Sequence, residues 1–368
     1  MTATSDVIVV GAGPIGAACA RELALAGGRV LLLDPGGERG QAWHAAAGML
    51  APQIETGEDD PLLPLGLAGR DLYPSLAAAL QETTGVDIGL WQEGIAWAAA
   101  TETEAGELKS KVASQRQRGH LSDWLDADEV RVRWQWLGPT SGALWAPREG
   151  ALEPVKLVQA LLADAEQHGA RIVQDEAIAL AQHGDRVVGV TGRAERYAAA
   201  NVVIAAGAWS GGISGLPRPL SVAPVRGQMA AFPWPRATRR AIIYGHGTYL
   251  LTRGSEAIAG STMEYVGFRP EVTPTGLDHL FAGVTALYPG LDRAEVSRTW
   301  AGLRPMTPDG LPIIGAEPRL SGLWYSTGHG RNGILLAGIT GLIIRQLLAG
   351  EQAVEDLSPF SPARFWNW

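Results

Sequence analysis

Residues 7–16 read VIVVGAGPIG, and their order decides the architecture. Val7 to Val10 are four consecutive apolar β-branched residues, which suit a strand buried on both faces of a parallel sheet. A G-x-G-x-x-G turn follows at Gly11, Gly13 and Gly16, and Ala17 to Ala26 continue as helix formers until Gly27 and Gly28. In this pattern Gly11 turns tightly, Gly13 lets the backbone approach a pyrophosphate, and Gly16 lets helix and strand pack closely. Residues 29–33, RVLLL, form a second strand ending at Asp34, 18 residues beyond Gly16. An acid there accepts hydrogen bonds from adenosine ribose hydroxyls and disfavours a 2′-phosphate. The unit therefore reads as an adenine-dinucleotide site. NAD and FAD share it, and this stretch alone does not choose between them.

The composition sets outer bounds. A chain of 368 residues with 46% apolar and 18% charged residues is globular in type. Single cores stop growing at roughly 250–300 residues, so two domains are expected. A net charge of −8, with Lys109, Lys111 and Lys156 as the only lysines, argues against nucleic-acid or anionic-membrane partners, which need clustered cations. Cys19 is the sole cysteine, excluding an intramolecular disulfide, a multi-cysteine zinc site and an iron–sulfur cluster, and no metal is expected. Met1 to Asp6 lack the basic start of a signal peptide, so a cytoplasmic location is expected. The most apolar late stretch, residues 334–348, is shorter than the ~20 residues that span a bilayer and reads as a buried helix.

Four further segments settle the nucleotide. AAAGMLAP (45–52), VVIAAGAWS (202–210), WAGLRPMTPDGLPIIG (300–315) and GHGRNGILL (328–336) occur in this order. Together with the glycine turn they resemble the D-amino-acid oxidase family, in its glycine-oxidase branch, over essentially the whole chain. The resemblance implies FAD. It implies an α/β fold (α+β overall): a Rossmann-like FAD-binding domain of the D-amino-acid oxidase/glutathione-reductase type, with a substrate domain built on an antiparallel sheet. The expected division is 1–85, 146–219 and 300–368 for FAD, and 86–145 with 220–299 for substrate.

Local patterns fill in this frame. Residues 52–64 read as a polar loop, 66–84 and 152–168 as helices, 86–100 as strands and 101–129 as a charged helical stretch. Short strands are expected at 170–173, 187–190 and 201–204, and residues 219–263 carry strand-like runs between Gly and Pro turns. The turn at 328–333 is expected to open the helix 334–348, aiming its N-terminal N–H groups at an electron-rich carbonyl, which in this family is the flavin O2.

The expected chemistry is oxidative deamination of glycine or a small D-amino or N-methyl amino acid. A hydride leaves Cα for flavin N5, giving an imino acid, then a 2-oxo acid with ammonia or amine, and hydrogen peroxide. Positioning does most of the work and no acid/base residue is required. An arginine suits the α-carboxylate because its planar fork can grip both oxygens. By resemblance that residue is Arg304, with Tyr249, Met263 and Arg331 also at the substrate. Where glycine oxidases carry a His two residues before this Tyr, Gly247 stands here, leaving room for a larger side chain.

The same resemblance assigns the cofactor to Gly11, Gly13, Pro14, Ile15, Gly16, Asp34 and Pro35. It adds His44, Ala45, Ala46, Ala47, Gly48, Met49 and Leu50, then Ala206, Gly207, Trp209 and Arg304, and finally Gly328, His329, Gly330, Arg331, Asn332, Gly333 and Ile334. Noncovalent FAD is expected. Residues 43–48, WHAAAG, resemble the flavin-linking segment of dimethylglycine and sarcosine dehydrogenases with one extra Ala, which makes His44 the alternative covalent anchor. Molecular oxygen as acceptor, a homo-oligomer and a role in thiamine biosynthesis complete the implied picture. The alternatives are a dehydrogenase with another acceptor, or a tRNA-modifying flavoprotein.

Overall fold

The apolar run at the N-terminus becomes the strand Ser5–Val10, and its alternation assigns two faces. Val7 and Val9 enter one core cluster, Ile8 and Val10 the other. Burying each such side chain contributes roughly 1.5–3 kcal/mol, so this strand holds both layers. A computed structural model describes residues 5–234, 240–291 and 296–365; Met1 to Thr4 and Trp366 to Trp368 lie outside them.

Parallel pairing places Ser5–Val10 between Val30–Asp34 and Arg196–Ile204. The sheet extends to Arg171–Gln174 on one side and to Leu323–Thr327 and Ile313–Ala316 on the other. The strands Ala177–His183 and Arg186–Gly192 branch antiparallel from Arg196–Ile204. Helices Pro14–Leu25, Leu62–Thr84, Pro154–Gln167 and Ala337–Leu348 cover the Val7/Val9 face. Two of them cross through small residues: a Cβ on Gly341 would stand 2.7 Å from the Ala18 backbone.

A second eight-stranded sheet runs in the order Arg298–Met306, Ala223–Pro233, Glu256–Gly260, Thr248–Arg253, Ile242–Gly245, Ile95–Ala98, Ala143–Ala146 and Asp123–Leu125. Its pairs are antiparallel except Ile242–Gly245 with Ile95–Ala98. Helix Pro274–Leu287 packs on its back through Leu280, Phe281 and Val284.

Several local expectations change. Residues 52–64 hold a one-turn helix, Pro52–Glu55, and the start of Leu62–Thr84. Residues 86–100 supply one strand instead of several, and 101–129 split into helix Glu102–Gln117, strand Asp123–Leu125 and the start of helix Ala127–Arg133. The last long helix begins at Ala337, three residues later than expected, because residues 331–336 coil through irregular turns. Strand Arg298–Met306, expected with the FAD side from residue 300, pairs along its whole length with Ala223–Pro233 in the second sheet. Residues 235–239 and 292–295, within the expected substrate unit, lie outside the described residues. No helix among the described residues is long and apolar enough to cross a membrane, and none of their His, Cys, Asp and Glu side chains group to hold a metal ion.

Candidate active site

One cavity of about 850 Å³ runs from the glycine turn to the antiparallel sheet, within the roughly 300–1,000 Å³ typical of ligand pockets. At its first end lie Gly11, Gly13, Pro14 and Ile15. Gly11 has φ +105°, and a Cβ there would stand 2.5 Å from the Ala205 carbonyl oxygen, so only glycine fits. A Cβ on Gly13 would meet only the Trp43 ring, at 3.5 Å, so its backbone faces open cavity. Gly16 lies behind the wall, where a Cβ would come within 1.8 Å of Gly11 O. Its absence lets the helix seat on the strand.

Asp34 fixes this turn. Its Oδ2 accepts from Ala12 N and its Oδ1 from Gly36 N, each at 2.8 Å. Each oxygen keeps a further lone pair, and Asp34 and Pro35 both line the cavity. Helix Pro14–Leu25 starts with no side-chain cap and no acid in its first turn, which leaves its N-terminal N–H groups to an anion. These are the requirements of a dinucleotide pyrophosphate and ribose.

The middle of the cavity is walled by His44, Ala45, Ala46, Ala47, Gly48 and Met49. Small side chains here leave a slot, and Gly48, at φ +88°, passes so close to Leu152 O that a Cβ would stand 2.1 Å away. His44 is exposed and stacks on Trp43, with ring centroids 3.6 Å apart; desolvation lowers its pKa. Leu50 is fully buried in the core instead of at the cavity. Its neighbours alternate along a short strand, so one residue faces the slot and the next turns away.

Ala206, Gly207 and Trp209 close one side, and Trp209 packs on Phe268 at 5.6 Å between centroids. Gly328, His329, Gly330, Arg331, Asn332, Gly333 and Ile334 form the floor. The turn is tied to the second sheet by Gly330 N donating to Pro305 O at 2.9 Å. His329 is buried against Thr340 Oγ1 at 3.2 Å, and burial pushes its pKa down to about 3, so the ring is neutral. The backbone between Asn332 and Ala337 still winds as turns, Leu336 N donating to Asn332 O at 2.9 Å. Gly333 and Ile334 thus reach the cavity from a turn ahead of the helix, not from its first turn.

At the far end Arg304 enters from the second sheet. Its Nη1 donates to Thr262 O at 3.0 Å and its Nη2 to Ser261 Oγ at 2.5 Å. Among the described residues no carboxylate pairs with it. Desolvation lowers its pKa, opposed by Tyr249 and Glu55. An enclosed guanidinium without a counter-charge favours an incoming carboxylate.

Tyr249 is buried beside Arg304, its hydroxyl 3.4 Å from Met229 Sδ, and burial raises its pKa, so it is a neutral donor. Met263 is 49% exposed at the cavity edge. Gly247 lies in the two-residue turn His246-Gly247 of a hairpin, where both φ values are positive, and it borders the cavity without a side chain. His246 is exposed at the same turn.

Glu55, Tyr244 and Gly227, which no motif singles out, also line the cavity. Glu55 Oε2 accepts from Arg331 Nε at 2.6 Å and Oε1 accepts from Tyr244 OH at 2.6 Å. Its acidic neighbours made the segment read as solvated. Gly227 lies opposite Gly302 in the strand pair, and a Cβ there would stand 2.1 Å from Arg304 Nη1. A glycine inside a strand run was the available signal for such a close approach.

The chain matches the family model of DAO, FAD dependent oxidoreductase, over residues 6–347. It is 36% identical to a glycine oxidase from Geobacillus kaustophilus, covering 99% of this chain and 98% of that one. It is 34% identical to a bifunctional protein ThiO/ThiG from Trichormus variabilis over 98% of this chain, and spans 55% of that longer relative. The crystal structure of glycine oxidase from Geobacillus kaustophilus superposes with a TM-score of 0.94 at 34% identity, over 100% of both chains.

Proposed function

Because this chain belongs to the DAO family of FAD-dependent oxidoreductases, we propose that it oxidises glycine or a small D-amino or N-methyl amino acid. The observation that carries this reading is Arg304: a guanidinium inside the cavity, held by Thr262 and Ser261, with no carboxylate of its own among the described residues.

The glycine turn, Asp34 and the Ala45–Met49 slot would hold FAD, which supplies the acceptor for two electrons and a Cα hydrogen and passes the electrons to oxygen as hydrogen peroxide. Arg304 grips the α-carboxylate, and Tyr249, buried and neutral, donates to it. This grip fixes how the substrate Cα sits in the cavity. Met263 borders the substrate side chain, and Gly247 leaves space beside it. No side chain is needed as a base: the neutral substrate amine's lone pair forms the C=N bond as the hydride leaves, and water hydrolyses the imine to a 2-oxo acid. Positioning of this kind supplies the acceleration.

The same proposal includes a cytoplasmic homo-oligomer, a role in thiamine biosynthesis, and a two-domain division in which the substrate unit also takes the strand Arg298–Met306. The test is amino-acid-dependent oxygen uptake by the FAD-loaded protein with glycine, sarcosine and D-alanine. Stoichiometric hydrogen peroxide is expected; turnover only with an artificial acceptor would overturn oxygen as the partner.

A further inference from the structure

Two arginines enter this cavity with different electrostatic partners. Arg304 has no carboxylate partner among the described residues. Arg331 donates from Nε to Glu55 Oε2 at 2.6 Å and from Nη2 to the Glu55 backbone oxygen at 2.9 Å, and the Glu55 charge raises its pKa. The second Glu55 oxygen takes the Tyr244 hydroxyl at 2.6 Å. Glu55 is therefore engaged on both oxygens, with a side chain only 13% exposed.

The one-turn helix Pro52–Glu55 is itself pinned at both ends. Gln53 N donates to the buried carboxyl of Glu149, and Lys111 Nζ donates to Ile54 O and Thr56 O at 2.8 and 2.9 Å. The Glu55 backbone, and with it the start of the side chain, is fixed independently of Arg331. Both charges of the pair act on Arg304, in opposite senses.

We propose that Glu55 is a specificity residue: it occupies Arg331 as an internal carboxylate, so the pocket accepts amino acids with one carboxylate and rejects those with a second on the N- or Cα-substituent. The inference rests on the amino-acid oxidase reading and adds a charge rule to it. A second substrate carboxylate approaching Arg331 meets Glu55 at close range and must displace the ion pair between Arg331 Nε and Glu55 Oε2. Neutralising Glu55 frees Arg331 to accept that carboxylate.

The test uses holoenzyme and two ethers that mimic N-methylglycine and iminodiacetate but carry no amine to oxidise, methoxyacetate and oxydiacetate. Their Kd values are read from the perturbation of flavin absorbance. In Glu55→Gln the preference for oxydiacetate over methoxyacetate should rise about tenfold or more relative to wild type, the scale of one charged hydrogen bond. The gain should vanish in Glu55→Gln/Arg331→Gln. Glu55→Ala, which places no amide in the cavity, should show the same direction.

An unchanged Kd ratio in both single variants, or a gain that survives loss of Arg331, would overturn the proposal. Wild-type turnover of glycine is measured alongside. Its absence fails the oxidase reading, while the Kd ratio still decides for or against Glu55.

Discussion

The Arg304 side chain reaches diagonally across an antiparallel strand pair to Gly227, so closely that a Cβ on Gly227 would stand 2.1 Å from Arg304 Nη1. The guanidinium lies in the space that a side chain would otherwise fill. Its position is therefore set by an absence on the neighbouring strand as much as by its hydrogen bonds to Ser261 and Thr262.

Gly227→Ala should push Arg304 out of register while leaving the glycine turn untouched. A misplacement near 1 Å can cost about 10²-fold, so kcat/KM for the amino acid should fall on that order with flavin content unchanged. Steady-state kinetics beside the flavin-to-protein absorbance ratio check this. A variant with normal kinetics would mean that the guanidinium position is not critical.

Arg304→Ala should reduce kcat/KM far more than it reduces stability. Truncating one partner of an enclosed charge pair costs about 2–5 kcal/mol, which is roughly 30-fold to several thousand-fold in rate. Arg304→Lys should recover only part of this, since an ammonium lacks the planar fork.

Asp34→Ala should weaken FAD retention, because the carboxylate both ties the glycine turn through Ala12 N and Gly36 N and faces the cavity. Acid precipitation of wild-type protein should leave the flavin in the supernatant. Flavin remaining on the pellet would point to His44, the exposed histidine of the slot.

Glu149 gives a prediction in pH. It is fully buried, and burial raises its pKa from 4.5 to about 8. The folded protein thus binds this proton more tightly than the unfolded chain between those values, so its contribution to stability is full below about pH 4.5 and is lost as pH rises through about 8. Thermal melts of Glu149→Gln should fall less between pH 5 and pH 8 than those of wild type. Parallel curves would show that Glu149 stays ionised in the fold.

The nucleotide end was legible because its determinants are local: a β-branched run, three spaced glycines and an acid at the end of the next strand. Arg304 was legible through the motif around it, but the sheet its strand joins was not, since whether Arg298–Met306 pairs with the first sheet or the second depends on residues 67 to 83 positions away. The late start of the last helix was hidden because Ile334 to Leu336 are apolar and helix-compatible, yet their backbone is held in turns by the cavity floor. Glu55 escaped notice because an acid amid Glu58, Asp59 and Asp60 reads as solvent-facing. Only the fold brings it to Arg331, 276 residues on.

The most direct test of the account is an anaerobic titration of the flavin absorbance with glycine, sarcosine, D-alanine and D-proline, followed by air, on wild type and Arg304→Ala. At least one of these should bleach the wild-type flavin, air should restore it with hydrogen peroxide formed, and Arg304→Ala should retain FAD but bleach far more slowly. A wild-type flavin that none of them reduces, or an Arg304→Ala flavin reduced as readily as wild type, would contradict it.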